Sequence, residues 1–186
     1  MNTTYLLTQL GFAATTIVYS WLFLRQLHKS LKATNFPEER KKRILRGTTL
    51  ALIGWAVLTG ILSLSGFLGD FSSFPPKMLI VLIVPLTAII WMVSTKTTKE
   101  ILLHTPAETI IGLQSFRVFV EILLWMLFVT NLAPIQMTFE GRNLDILSGI
   151  TAPLIAFLIS RKKISKPITI LWNIACLGLL ANIVIT

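Results

Sequence analysis

Gln114, Arg117 and Glu121 are the residues of this 186-residue chain best equipped for chemistry, and they stand where charge is expensive. They lie inside the run Ile110 to Leu132, IIGLQSFRVFVEILLWMLFVTNL, which is otherwise apolar enough to cross a bilayer. Spaced at i, i+3 and i+7, the three share one face of a helix. A charge at the bilayer centre costs about 2.5–3.5 kcal/mol even on mild insertion scales. That face must therefore look toward other protein or toward water. A guanidinium so placed suits an anionic group, and a carboxylate suits a proton or cation. Pairing Arg117 with Glu121 along one helix would leave guanidinium donors unused, so a second helix must supply partners.

Depth selects those partners. Counted at the helical rise from Ile110, Arg117 lies about 10 Å in and Glu121 about 17 Å. Asp145, at the head of the next apolar run, lies about 22 Å up from Ser160. In the last run Asn173 and Asn182 lie about 9 Å and about 22 Å from Pro167. Arg117 is expected to meet Asn173 or to stretch toward Asp145, with Asn182 level with Asp145. The candidate ligand-binding or ion-pathway residues are thus Gln114, Arg117, Glu121 and Trp125, facing Asn143, Asp145, Asn173 and Asn182. Asn131, Glu140 and Arg142 form a second polar knot, expected at the outer mouth of the same cavity. Gly141 within it is expected to supply a positive φ in a turn.

The elements that must hold these residues follow from composition. Hydrophobic residues make up 54% of the chain and charged ones 13%, with mean hydropathy +0.76, so a soluble domain could not hide the apolar surface. The reading is an all-α, multi-pass integral membrane bundle, one transmembrane domain over residues 1–186. Six spans are expected, at about 4–27, 44–67, 77–94, 109–131, 143–160 and 167–185. Asn35-Phe36-Pro37-Glu38 and Thr105-Pro106-Ala107-Glu108 read as helix starts, the latter as a capping box. Gly66 to Pro76 reads as a loop. The partly apolar Leu132 to Arg142 is expected to dip back toward the bilayer or to lie along its surface. Gly47/Ala51 and Ala56/Gly60 are small pairs of the kind that let helices approach.

Charge assigns sides. Of the seventeen Lys and Arg residues, fourteen fall in the loops after spans one, three and five: Arg25 to Arg46, Lys96 and Lys99, and Arg161 to Lys166. The positive-inside rule then puts both termini outside the cytosol. The net charge of +9 is thereby used as a topology signal, which leaves no need for nucleic acid as a partner. The lipid bilayer is the expected partner, with anionic lipids a candidate at the cytosolic basic loops, and a homo-oligomer is compatible with the chain. The amino end has no basic n-region, and its apolar run is too long for a signal peptide, so the first span is expected to stay in the mature protein.

Cys176 stands alone, and His28 and His104 fall at a membrane boundary, so neither a cysteine cluster nor a bis-histidine haem is expected. HExxH, GxSxG and P-loop patterns are missing from the sequence, and neither metal nor cofactor is expected. The function these residues suggest is binding or transport of a small polar or anionic solute, or a lipid head group, in a cavity lined by spans four to six. Two alternatives compete with it. One is an intramembrane enzyme acting on a lipid-like substrate by carboxylate acid–base chemistry, and the other a non-catalytic scaffold or assembly subunit. The expected location is a plasma membrane, of the bacterial inner-membrane type.

Overall fold

The structure, a computed structural model, describes residues 3–69 and 77–185; most of the expected loop between spans two and three lies outside them. It is all helical, with 82% of residues in helices and no strand among the described residues. The helices are α1 (Thr3–Ala33), α2 (Glu38–Leu64), α3 (Leu79–Ser94), α4 (Lys96–Leu103), α5 (Ala107–Leu113), α6 (Phe116–Val129), α7 (Ile146–Ser160) and α8 (Lys166–Ile185).

Three stretches are long and apolar enough to cross a membrane: α1, α2 and the tandem α5–α6, Ala107–Val129. A fourth joins if α3 and α4, bent by 77° at Thr95, count as one broken span, and α7 is apolar but shorter. The exterior fits lipid. Among the described residues the buried apolar ones are Leu31, Ile111, Leu123, Ala152 and Cys176, whereas large apolar side chains such as Leu64, Trp91 and Leu171 are mostly exposed. Water would not tolerate so much continuous apolar surface, while hydrocarbon has no quarrel with it.

The helices group into two compact units, one of Met1–Phe23 with Pro106–Thr186, the other Leu24–Thr105. In the second, α1 runs beyond its expected end because the basic stretch from Arg25 continues as helix to Ala33. Thr34 ends it, its hydroxyl donating to the Leu31 carbonyl at 2.7 Å. α2 begins at Glu38 as expected, yet Asn35 does not cap it; Pro37 occupies that position and no side-chain cap bond forms. The helix α4 is an element the charge reading had treated as loop. Thr95 starts it by accepting from the Thr98 amide at 3.2 Å, a cap signal present in Thr95-Lys96-Thr97-Thr98. The small pairs of α2 serve no close packing, since nothing lies within 4 Å of a Cβ placed at Gly47 or Gly60.

In the first unit the expected single fourth helix is broken. Between α5 and α6 the amides of Gln114, Ser115, Arg117 and Val118 each bond three residues back, at 2.9–3.2 Å, which tightens the chain into a 3-10 turn. Tyr19 of α1 braces this turn: its hydroxyl lies 3.1 Å from Ser115 Oγ and its ring meets Phe116 edge-on. The tandem starts at Ala107, one residue later than the capping-box reading expects, with Pro106 rather than Thr105 at the cap position, and Thr105 forms no capping box. Its hydroxyl bonds Ser30 Oγ and the Ile101 carbonyl, both at 2.8 Å.

α7 runs antiparallel to α5–α6 with Gly149 against the α6 backbone. A Cβ there would stand 2.7 Å from Val118 N and 3.1 Å from Arg117 Cβ, so only glycine admits this approach. α6 ends with Asn131 in the left-handed conformation (φ 57°), and the Leu132 amide bonds the Leu127 carbonyl at 2.9 Å in a Schellman-type stop. From there the chain folds back along α6 rather than lying beyond its end. Residue 143 comes to rest against Glu121, eight residues or about 12 Å short of Val129. This explains why α7 has only 15 residues, about 22 Å, against the roughly 30 Å of a hydrocarbon core. The fold-back is held by Thr138, whose carbonyl accepts from Gly141 N at 2.9 Å and Asn143 N at 3.2 Å. Gly141 is not the positive-φ residue expected, since among the described glycines Gly66 alone has that conformation. Its need is space: a Cβ at 141 would sit 2.1 Å from the Ile135 carbonyl oxygen.

Gly141→Ala is expected to destabilise the protein by about 1–3 kcal/mol through backbone overlap, and Gly149→Ala similarly. Gly47→Ala is expected to be neutral or slightly stabilising, because it adds helix propensity in open space. Thermal unfolding of the three variants in detergent tests this, and equal midpoints for all would refute the packing described.

Candidate functional site

The site is built where the fold-back meets the middle of α6. Arg117 projects from α6, one turn after the break, and its Nη1 donates to Asp145 Oδ1 in a close ion pair with side chains 13% and 7% exposed. Asp145 immediately precedes α7, so the pair bolts one helix to the start of the next. Glu121 lies one turn further along α6 and is 2% exposed. It does not pair with Arg117. Instead its Oε1 accepts from Asn143 Nδ2 at 2.6 Å.

Asn143 organises the junction. The same amide nitrogen donates to the Met137 carbonyl at 3.0 Å, while its Oδ1 accepts from the Asp145 amide at 3.1 Å. That last bond closes an Asx turn just ahead of α7, whose N-cap residue, Asp145, makes no side-chain cap bond of its own. Asn143 and Asp145 are both buried, at 2% and 5% exposure.

The remaining expected residues are placed as follows. Gln114 Nε2 donates to Asn173 Oδ1 of α8 at 3.3 Å, so Asn173 meets Gln114 rather than Arg117. Asn182 is exposed and donates to the Arg142 carbonyl at 2.8 Å, away from the Asp145 side chain. Trp125 stacks on Phe139 and donates from Nε1 to Glu140 Oε1 at 2.9 Å, which fastens the fold-back to α6. Glu140, Arg142 and Asn131 are exposed; the first is tied to Trp125 and the last terminates α6.

Ser148 was not anticipated from the sequence. It is 1% exposed on α7, three residues after Asp145 and beside Gly149. The spacing Asp145-x-x-Ser148 puts it on the same helix face, a signal masked by how common serine is in apolar helices. Thr151 was also missed; it accepts from Trp172 Nε1 at 3.0 Å and joins α7 to α8.

Three buried polar atoms in this cluster have no hydrogen-bond partner: Arg117 Nε, Glu121 Oε2 and Ser148 Oγ. Such atoms are costly in a dry interior and mark places where a further polar group would be welcome. No family model matches the chain, and no curated protein or solved structure matches it. With Glu121 ionised, Arg117, Asp145 and Glu121 sum to a formal charge of −1, and the guanidinium is already engaged by Asp145. The cluster thus offers acceptors to a donor-bearing or cationic group more readily than it offers a cation to an anion. Among the described residues no three His, Cys, Asp or Glu side chains gather where they could hold a metal ion.

Asp145→Ala is expected to cost about 3–5 kcal/mol, since it strands the Arg117 charge in apolar surroundings. Arg117→Leu combined with Asp145→Leu should cost clearly less than the sum of the single changes. Unfolding titrations in mixed micelles supply the double-mutant cycle. Additive losses would mean the two side chains do not depend on each other.

Proposed function

We propose that this chain is a six-span membrane protein that binds a small, donor-bearing polar solute or a proton at the Arg117–Asp145–Glu121–Ser148 cluster and moves it across a plasma membrane. The observation that carries the reading is the set of unpartnered buried atoms, Glu121 Oε2 above all, beside a buried ion pair. Ionisable groups kept inside a membrane segment are rare, and functional use is their default expectation. The backbone adds support. α7, a helix that starts part-way through the span, lies against α5–α6 beside its 3-10 turn, and helices that begin inside the membrane build the solute sites of transporters. Non-helical backbone at such depth is tolerated only where protein or water covers it. A strongly anionic solute fits less well, because it would have to take Arg117 from Asp145.

Six crossings require α3, α7 and α8 to cross beside α1, α2 and α5–α6. With that count the basic loops fall on one side and both termini on the other, and the positive side is cytosolic. A bacterial inner membrane suits this arrangement.

A second reading has its own observation. The Arg117–Asp145 pair and the Asn143–Glu121 bond each join α6 to the approach to α7, as a structural lock in a scaffold subunit would.

The two readings separate on Glu121→Gln and Ser148→Ala. For a solute site, both variants keep the fold and lose the stabilisation that a bound solute gives the wild-type protein. The measurement is a thermal-shift screen of purified protein against polar metabolites, amines and cations at several pH values. A hundredfold excess of solute over its Kd corresponds to about 2.7 kcal/mol of stabilisation. No response from the wild type, together with a large loss of stability in both variants, would leave the lock as the reading.

A further inference from the structure

We infer that the outward face of α4 in the Leu24–Thr105 unit is a binding site for anionic phospholipid head groups. This rests on different residues from the polar cluster and does not depend on a solute being bound there. α4 leaves the axis of α3 by 77°, so a helix that follows an apolar span turns sharply aside from it at Thr95. Its inner side is fixed in place. Thr97 accepts from Arg40 Nη2 of α2 at 2.9 Å, and Thr105, just past its end, bonds both the Ile101 carbonyl and Ser30 of α1 at 2.8 Å. Arg40 itself lies over the Phe36 ring at 4.4 Å, which steadies the α2 end of this joint.

What remains outward at helical spacing is Lys96, Lys99, Leu102 and Leu103. Leu103 is 81% exposed and Leu102 43%, and Trp91 at the end of α3 is 72% exposed. A solvated loop helix would have no reason to hold two leucines out on the same face as two lysines. An interfacial helix has one: leucines enter the acyl region while lysine stems run beside them and lift the ammonium groups to phosphate level. The acidic residue of α4, Glu100, has its carboxylate 3.7 Å from His104 Nδ1, and with Lys96 and Lys99 it leaves the helix a net charge of +1. On α2, Glu38 and Glu39 are taken by Lys41 and Lys42 at 2.9 and 3.4 Å. Lys29, Lys32, Arg43 and Arg46 are also exposed on this unit and add to its positive field. A free phosphate would use the cations alone, and the exposed leucines and Trp91 favour a lipid.

The test uses the full chain purified in a zwitterionic detergent and doped with phosphatidylglycerol, phosphatidylcholine or soluble glycerol 3-phosphate, with thermal midpoint read against dose. Phosphatidylglycerol should raise the midpoint and the other two should not. Lys96→Gln with Lys99→Gln should weaken the apparent affinity about thirtyfold, at about 1 kcal/mol for each lysine near an anionic surface. Lys96→Arg with Lys99→Arg should restore it. Leu102→Ser with Leu103→Ser should also weaken it, whereas Lys163→Gln with Lys166→Gln, in the other unit, should not. Equal responses to the two lipids, an undiminished response in the double glutamine variant, or an equal rise with glycerol 3-phosphate would each overturn the assignment.

Discussion

The ion pair between Arg117 and Asp145 is the constraint from which the first unit follows. Neither charge can be left in hydrocarbon, and removing either strands the other, so the two must meet wherever the chain has to go to let them. Arg117 sits one turn beyond the break of the α5–α6 tandem, so Asp145 has to be brought to that depth. This requires the connection after α6 to descend along the helix it has just left. It also requires α7 to start late and lie close, which Gly149 allows by presenting no side chain to Val118. Asn143 then bonds one carboxylate oxygen of Glu121, a carbonyl of the fold-back and the Asp145 amide just before α7 at once.

With so few apolar residues buried, the hydrophobic effect cannot be what selects the helix partners. In lipid that role passes to close backbone approach and interhelical hydrogen bonds, each worth about 0.6 kcal/mol on average. The first unit has several of these at separate levels: Tyr19 with Ser115, Gln114 with Asn173, and Trp172 with Thr151. Each uses a polar side chain lying in an otherwise apolar run. Distributed in this way, they fix register between helices whose apolar surfaces would pack almost equally well at a neighbouring one.

Much of this could be read from the residues. An all-helical membrane chain follows from composition, and the requirement that Arg117 find a partner on another helix follows from donor arithmetic. Depth counting offers Asp145 beside Asn173 as partners of Arg117, and only the first of these meets it. The details that escaped are those set by tertiary competition. Thr105 has the sequence of a cap residue, yet Ser30 and the Ile101 carbonyl claim its hydroxyl. Gly141 has the sequence of a turn glycine, yet what it supplies is clearance for the Ile135 carbonyl. The break at Gln114-Ser115 carries no proline to announce it. It is made by local 3-10 bonding and braced by Tyr19, almost a hundred residues earlier (|i−j| = 96), which no local pattern can reveal.

The late start of α7 also bears on how such a chain could enter a bilayer during synthesis. A 15-residue helix with an aspartate at its head and irregular backbone before it is a poor solitary insertion substrate, because its polar groups have nothing to bond until α6 is alongside. α6 carries the matching guanidinium and is equally unfinished alone. The two segments are therefore best delivered as a preassembled hairpin, with the salt link closed inside the insertion machinery before either helix meets acyl chains.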